Sequence, residues 1–173
     1  MIITAATLNT TKLQEYKTTR MSEVAGIVNK LVAGQPLWNE QDEEAIQLPY
    51  KHLASEPGKN FRSKLIEVFN QVYSLPGEKL GLVAKMVEIL HNSSLLIDDI
   101  EDGSEIRRGI TTSYLIYGVP MTINSANYMY FKAMEILQMI SDGDGIILQD
   151  EMVILNQEIN NLHTGQGLDI YCR

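Results

Sequence analysis

From Asp98 to Asp102 the chain reads Asp-Asp-Ile-Glu-Asp, and Gly103 follows at once. Asp98 and Asp102 stand four apart, so on a helix they share one face, a turn from each other. Helix stability gives no reason for this. Like charges at that spacing repel by roughly 0.2–0.5 kcal/mol per pair. Negative charge in a last turn also opposes the macrodipole by roughly 0.3–1 kcal/mol each. Gly103 reads as the helix stop, so both penalties fall on the same residues. Carboxylates facing one point make sense when divalent cations sit between them. All-oxygen ligands suit Mg²⁺, which keeps waters and shares substrate phosphate oxygens. A solvated acidic helix end is the plainer alternative.

The residues around this turn have complementary chemistry. His91, Ser94, Asp98 and Asp102 recur at i, i+3, i+7 and i+11, placing an imidazole, a hydroxyl and two carboxylates on one stripe. Polar groups on a core helix are costly unless they line a wet cavity or a ligand. A few residues beyond the acidic turn come Arg107, Arg108 and Gly109, and guanidinium groups bind phosphate bidentately. Upstream, Lys59 and Arg62 are three apart after Pro57-Gly58, where a helix start offers free backbone N–H groups to an anion. Each basic pair has an ordinary surface reading as well.

Helices are the elements that must position these groups. Phe61, Leu65, Val68, Phe69 and Val72 follow the stripe of an amphipathic helix expected from about Lys59. Ser74-Leu75-Pro76-Gly77-Glu78 starts the next one. Its Leu80, Leu82, Val83, Met86, Val87, Ile89 and Leu90 cover nearly every face, the mark of a central helix. Thr122 is expected to cap a helix reaching Ile140, with Ala126, Met129, Tyr130, Ala133, Ile136 and Leu137 apolar. A turn at Ser141-Asp142-Gly143-Asp144-Gly145 lacks the remaining ligands of a calcium loop. A last helix from about Ile146 carries Leu148, Met152, Leu155, Ile159 and Leu162 at core spacing. No strand alternation of any length and no repeat is present. The fold class is all-α.

Residues 1–40 read as a variable extension to which no chemistry is assigned. Val24, Ile27, Val28, Leu31 and Val32 have helical spacing, and Gly34 and Pro36 end that segment. Residues 41–173 form the domain proper. At 45% hydrophobic residues, the 173-residue chain has enough apolar material for a sizeable core. A net charge of −8 argues against a nucleic-acid partner. The single cysteine, Cys172, points to a reducing compartment. Met1 to Ala6 lack the form of a secretory signal, and Glu15 counts against a mitochondrial presequence built on Lys12, Lys17 and Arg20. The cytoplasm is therefore expected. No uninterrupted apolar run reaches the roughly 18 residues of a membrane span, so no transmembrane segment is expected.

The string from Leu80 to Gly109, with His91-Asn92-Ser93-Ser94-Leu95-Leu96-Ile97-Asp98-Asp99-Ile100-Glu101-Asp102 and Arg107-Arg108-Gly109, resembles the trans-prenyl diphosphate synthases (polyprenyl synthetases). The fungal geranylgeranyl diphosphate synthases are the nearest kind. Acidic turns alone would also fit terpene cyclases; Gly58-Lys59-Asn60-Phe61-Arg62 and the Arg107-Arg108 pair favour the chain-elongating group. The resemblance runs from about Lys51 to Arg173. It implies the N-terminal part of an isoprenoid-synthase helical bundle around a central cavity. It also implies condensation of isopentenyl diphosphate with an allylic diphosphate (dimethylallyl, geranyl or farnesyl), with Mg²⁺ as cofactor. By the resemblance, Asp98 and Asp102, supported by Asp99, hold the metal on the allylic diphosphate and Arg107 grips that diphosphate. Lys59, Arg62, His91 and Arg108 match the isopentenyl diphosphate site. Gln166 and Asp169 match a pocket-lining motif. The family habit is a homodimer.

Product length follows from sterics. A growing tail should run from Asp98 back along its helix past Ser94 and Ser93, and one turn is about 5.4 Å, close to one isoprene unit. In the family an aromatic there stops growth at farnesyl. Two serines leave the way open, so geranylgeranyl diphosphate is expected, with Tyr130, Phe131 and His163 as the tunnel floor. Relative to the family pattern, the second aspartate-rich motif and its following ligands are not in these 173 residues. The expectation is a fragment or truncated product with half the catalytic cavity, weak alone. The alternative is a non-catalytic homologue acting as a partner or regulatory subunit.

Overall fold

Contacts divide the chain, seen here in a computed structural model, into two units, Met1–Glu43 and Glu44–Arg173. Residues 21–35, 37–141 and 144–173 are described. The expectations for residues 1–20, Pro36, Asp142 and Gly143 lie outside them. In the first unit residues 21–32 form a helix (α1) on which Val24, Ile27, Val28, Leu31 and Val32 are all exposed. Asn39 and Asp42 then exchange backbone-to-side-chain bonds of 3.0 Å each, a reciprocal cap that opens the short helix α2 (Glu40–Ile46).

The second unit is organised by α5 (Gly77–Glu101), which packs most extensively on α7 (Val119–Ile140). Ala126 and Ala133 on α7 are fully buried, and such small side chains let the two helices approach closely. Around them Ile89, Met129, Ile136, Leu137 and Ile140 form one apolar cluster, and Leu53 and Leu96 join Ala126 in a second. The helix α3 (Leu48–Ala54) closes one end. The α4 helix (Phe61–Tyr73) lies along α5, and α8 (Gly145–Cys172) runs beside α7, started by Asp144 accepting the Ile146 and Ile147 N–H groups.

Several local expectations change. The α4 helix begins at Phe61, so Lys59 precedes its N-cap, Asn60, and only Arg62 lies in the first turn. Its stripe of Phe61, Leu65, Val68, Phe69 and Val72 is exposed, and the side nearer α5 carries Ser63, Ile66 and Asn70 instead. Periodicity found the helix but could not say which face is covered. Thr122 does not cap α7. That helix starts at Val119 with Pro120 in its first turn, and buried Thr122 donates to the Gly118 carbonyl at 3.0 Å. On α8, Leu148, Met152, Leu155 and Ile159 are half-buried while Leu162 is 53% exposed.

A further correction concerns α5. By length and composition alone it is long and apolar enough to cross a membrane, the one such helix among the described residues. Lys79, Lys85 and Glu88 interrupt any continuous apolar run, which is why counting such runs misses it. Asn92, Ser93 and Asp99 on it are buried.

Two short strands, β1 (Ile106–Arg107) and β2 (Ile110–Thr111), pair antiparallel after α5, and a small helix α6 (Ser113–Tyr117) follows. A two-residue ladder is too short for alternation to reveal. Its turn is Arg108-Gly109 with φ of 54° and 85°, the left-handed pair that a tight two-residue hairpin needs. Glycine adopts this freely; an arginine there costs on the order of 1 kcal/mol.

Candidate active site: two cavities on one helix

The acidic turn ends α5 as the glycine implies. Asp102 is the C-cap, and Gly103 has φ 63°. The Gly103 N–H reaches the Ile100 carbonyl and the Ser104 N–H reaches that of Asp99 at 2.9 Å. These paired bonds form a Schellman stop. The geometry separates the three aspartates. Asp98 and Asp102 keep side-chain exposures of 30% and 28%, whereas Asp99 faces the core with 1% residue exposure.

Arg107 holds the buried one. Its Nε–H donates to Asp99 Oδ1 at 2.7 Å and its Nη2 to Asp98 Oδ2 at 2.8 Å. Burial works against the Arg107 charge, but the bonds to Asp99 and then Asp98 outweigh it and raise the guanidinium's pKa. For Asp99, burial raises the carboxyl's pKa, Arg107 pulls it back, and the Asp98 and Asp102 charges add to the rise. Asp99 Oδ2 has no hydrogen-bond partner. Asp102 is engaged by Arg173, which also holds Asp169. Gln166 donates to Asp98 Oδ1 at 3.2 Å and to Glu101 Oε2 at 3.0 Å.

Asp98 heads a cavity of about 210 Å³ between α5, α7 and α8. Arg62, His91, Glu101 and Gln166 are its other polar lining residues, and Ser94, Leu95, Ile97 and Leu162 line it with them. Tyr130 and His163 meet there with ring centroids 5.8 Å apart, and His163 Nδ1 is 2.9 Å from the Ile159 carbonyl. Burial, with a smaller push from Glu101, raises the Tyr130 phenol. Two of the tail-length residues lie elsewhere. Ser93 is fully buried, its hydroxyl donating to the Ile89 carbonyl at 2.7 Å, and Phe131 is 64% exposed on the outside of α7. A helix turns 100° per residue, and here that step takes Ser93 and Phe131 off the walls that Ser94 and Tyr130 line.

A second cavity of about 80 Å³ lies between the start of α4 and the middle of α5. Lys59, Arg62 and Arg108 face it with His91 and a single carboxylate, Glu88, so cations prevail three to one. Arg108 reaches it from the hairpin turn. Its Nη1 donates to the Glu56 carbonyl at 2.9 Å and, more weakly, to that of Leu53, and its Nη2 to Asn92 Oδ1 at 2.7 Å. Burial, then Arg62, Arg108 and Arg107, lower the His91 pKa from 6.5 to about 4, so its imidazole is neutral at pH 7. Sequence reasoning missed Asn92 and Gly58 here, and Glu101 in the larger cavity. An amide inside an apolar helix was the available signal, since it needs a partner, but its partner lies sixteen residues away by a fold only the structure gives.

Among the described residues no group of three or more His, Cys, Asp or Glu side chains gathers as a metal site. Asp98 and Asp102 nonetheless offer hard oxygen donors one turn apart. That pair fits Mg²⁺ held jointly by one or two carboxylates and substrate phosphates, not a closed protein cage. Asp99, expected beside them as a supporting ligand, is buried and accepts from Arg107 through Oδ1.

An acid-headed apolar cavity beside a basic pocket, both on the central helix of an all-α unit, agrees with the helical isoprenoid-synthase fold. A family profile described as Polyprenyl synthetase matches residues 43–173, and the chain belongs to that family. It is 50% identical over 147 residues to Geranylgeranyl pyrophosphate synthase of Eremothecium gossypii, covering 84% of this chain and 46% of that protein. It is 47% identical over 131 residues to Geranylgeranyl pyrophosphate synthase dpmaD of Metarhizium anisopliae, covering 76% and 38%. Geranylgeranyl pyrophosphate synthase 1 of Zymoseptoria tritici is 39% identical over 155 residues, covering 89% and 43%. The chain spans less than half the length of these curated relatives.

Proposed function

We propose that this chain supplies one wall of a prenyltransferase that condenses isopentenyl diphosphate with an allylic diphosphate, the product being geranylgeranyl diphosphate. The observation that carries the reading is the pairing of the two cavities. A basic pocket and a carboxylate-headed apolar cavity share Arg62 and His91. One anionic substrate then lies beside another, the arrangement a bimolecular condensation needs.

In this reading Lys59, Arg62 and Arg108 bind the diphosphate of isopentenyl diphosphate, with neutral His91 between the cavities. Asp98 and Asp102 would hold Mg²⁺, which when bound neutralises the allylic diphosphate and makes it a better leaving group. Arg107 donates to the same diphosphate as negative charge grows on it, and Asp99 keeps that guanidinium in place. The allylic C–O bond breaks with its electron pair leaving on diphosphate. The isopentenyl double bond attacks the freed carbon, and a proton then passes to the departing diphosphate as a double bond is restored. The apolar course past Ser94 toward Tyr130 and His163 takes the tail and keeps water from the cation. A homodimer belongs to the same proposal, supported by the uncovered apolar face of α4; light scattering tests it.

The assay is incorporation of labelled isopentenyl diphosphate into farnesyl diphosphate with Mg²⁺. It is run on this chain and on a chimera carrying residues 43–173 in place of the matching stretch of the Eremothecium gossypii protein. A C20 product from the chimera supports the reading. An inert chimera, folded like its active parent, sinks it.

A further inference from the structure

We propose that Asn92 is the positioning residue of the basic pocket. Its amide oxygen holds Arg108 through a neutral bond, which fixes the guanidinium while leaving its charge uncompensated for a diphosphate. The inference deepens the proposed function and rests on the basic pocket being a diphosphate subsite.

Asn92 is 1% exposed on α5, and a buried amide is costly unless its groups are bonded. A guanidinium only donates, so the Arg108 contact at 2.7 Å selects the oxygen side of the amide and sets its orientation. The other side of the amide is near the Tyr50 hydroxyl. The main-chain carbonyls of Leu53 and Glu56 hold the other arm of Arg108. Gly58 lies against the guanidinium, where a Cβ would come within 3.3 Å of Nη2. Three N–H donors are thus used, and the Nε–H and one Nη2 hydrogen remain for a ligand.

All the acceptors holding Arg108 are neutral. Its sequence neighbour Arg107 is held by two carboxylates, so its charge is already matched. A carboxylate at position 92 would grip Arg108 at least as well as an amide, but it would cancel the charge that an anion needs. A purely structural tie would have no reason to prefer the amide.

The test uses the full chain and inorganic pyrophosphate, titrated calorimetrically with EDTA present so that only metal-independent binding is read. Wild type is compared with Asn92→Asp and Asn92→Ser, each followed by thermal melting and circular dichroism. Wild type is expected to bind. Asn92→Asp is expected to melt at or above wild type yet bind about tenfold or more weakly, since a charge-assisted bond to the anion is lost. Asn92→Ser, which loses the tie without adding charge, should melt lower than Asn92→Asp but bind better. That inverted order is the signature, because a structural role moves stability and binding together. If Asn92→Asp binds within a factor of about two of wild type, or the two variants rank alike in both measurements, the positioning inference is overturned while the subsite stands. Should Asn92→Asp not fold, wild-type affinity in Asn92→Ser overturns it equally. No pyrophosphate binding by wild type removes both the inference and the subsite.

Discussion

Arg107 and Arg108 are adjacent in sequence yet sit in opposite electrostatic settings. The left-handed turn at Arg108-Gly109 sends one guanidinium to the acidic end of α5 and the other back toward its middle. Arg107 is matched by Asp98 and Asp99, so it acts first as a counter-ion. Arg108 is held by an amide and two carbonyls, so it acts first as an anchor with charge to spare. On the proposed reading, the same residue type serves a site that takes cations and a site that needs none. The difference lies in the acceptors, and it extends to the cavities. The larger one has a carboxylate head and an apolar course, while the smaller one is cationic.

The contrast is broken most directly by removing each arginine. Arg107→Ala leaves the Asp99 carboxylate buried and unpaired, and should cost about 3 kcal/mol in urea unfolding at neutral pH. The loss should shrink as the pH falls and Asp99 takes up a proton. Arg108→Ala strands only neutral acceptors and should cost about 1–2 kcal/mol. Metal-free pyrophosphate binding should reverse the order, surviving in Arg107→Ala and vanishing in Arg108→Ala. Equal effects of the two in both measurements would erase the distinction.

The larger cavity is sharpened by neighbouring serines. Ser94→Phe should leave folding intact and, in the active chimera, shift product from C20 toward C15. Ser93→Phe overpacks the α5–α7 contact and should destabilise by about 1–3 kcal/mol or more. Unchanged product length in Ser94→Phe would show that the tail runs elsewhere. A smaller effect is expected from Gly58→Ala, whose methyl must displace Arg108 by a few tenths of an ångström. Its pyrophosphate affinity should fall about threefold, a shift of well under 1 kcal/mol.

The smallest effect is a pH slope. The His91 pKa is lowered to about 4 in the folded chain, so below its unfolded value near 6.5 protons favour the unfolded state. Its stabilising share is complete above pH 6.5 and is lost progressively down to pH 4. Melting followed from pH 7 to 4.5 should show a shallower decline in His91→Gln than in wild type.

Much of this was readable in the residues. The period of Leu80 to Leu90, the pairing of Asp98 with Asp102 and the stop at Gly103 are local facts, set by backbone geometry over one or two turns. They located α5 and the side of it on which His91, Ser94 and Asp98 stand together. Lys59, Arg62, His91 and Arg108 were brought to one expected site only through the family resemblance, because their spacing carries no contact. What stayed hidden depends on partners far away along the chain. Asp99 differs from Asp98 by one step of 100°, yet only the covering of that face by the hairpin makes one a buried counter-ion and the other a cavity wall. On α4 the error ran the other way, since an apolar stripe marks a face that prefers cover without saying what covers it.

By itself, then, the amino-acid order determined the helices, their stops and the chemical inventory of the site, since these follow from torsions, periodicity and charge within a few residues. The tertiary structure alone decided which acceptors each arginine meets, which of two adjacent serines faces the cavity and which of three aspartates is taken out of water. Those outcomes depend on burial and on close contacts between segments some fifty residues apart, such as Arg108 with Glu56, and neither quantity exists until the chain has folded.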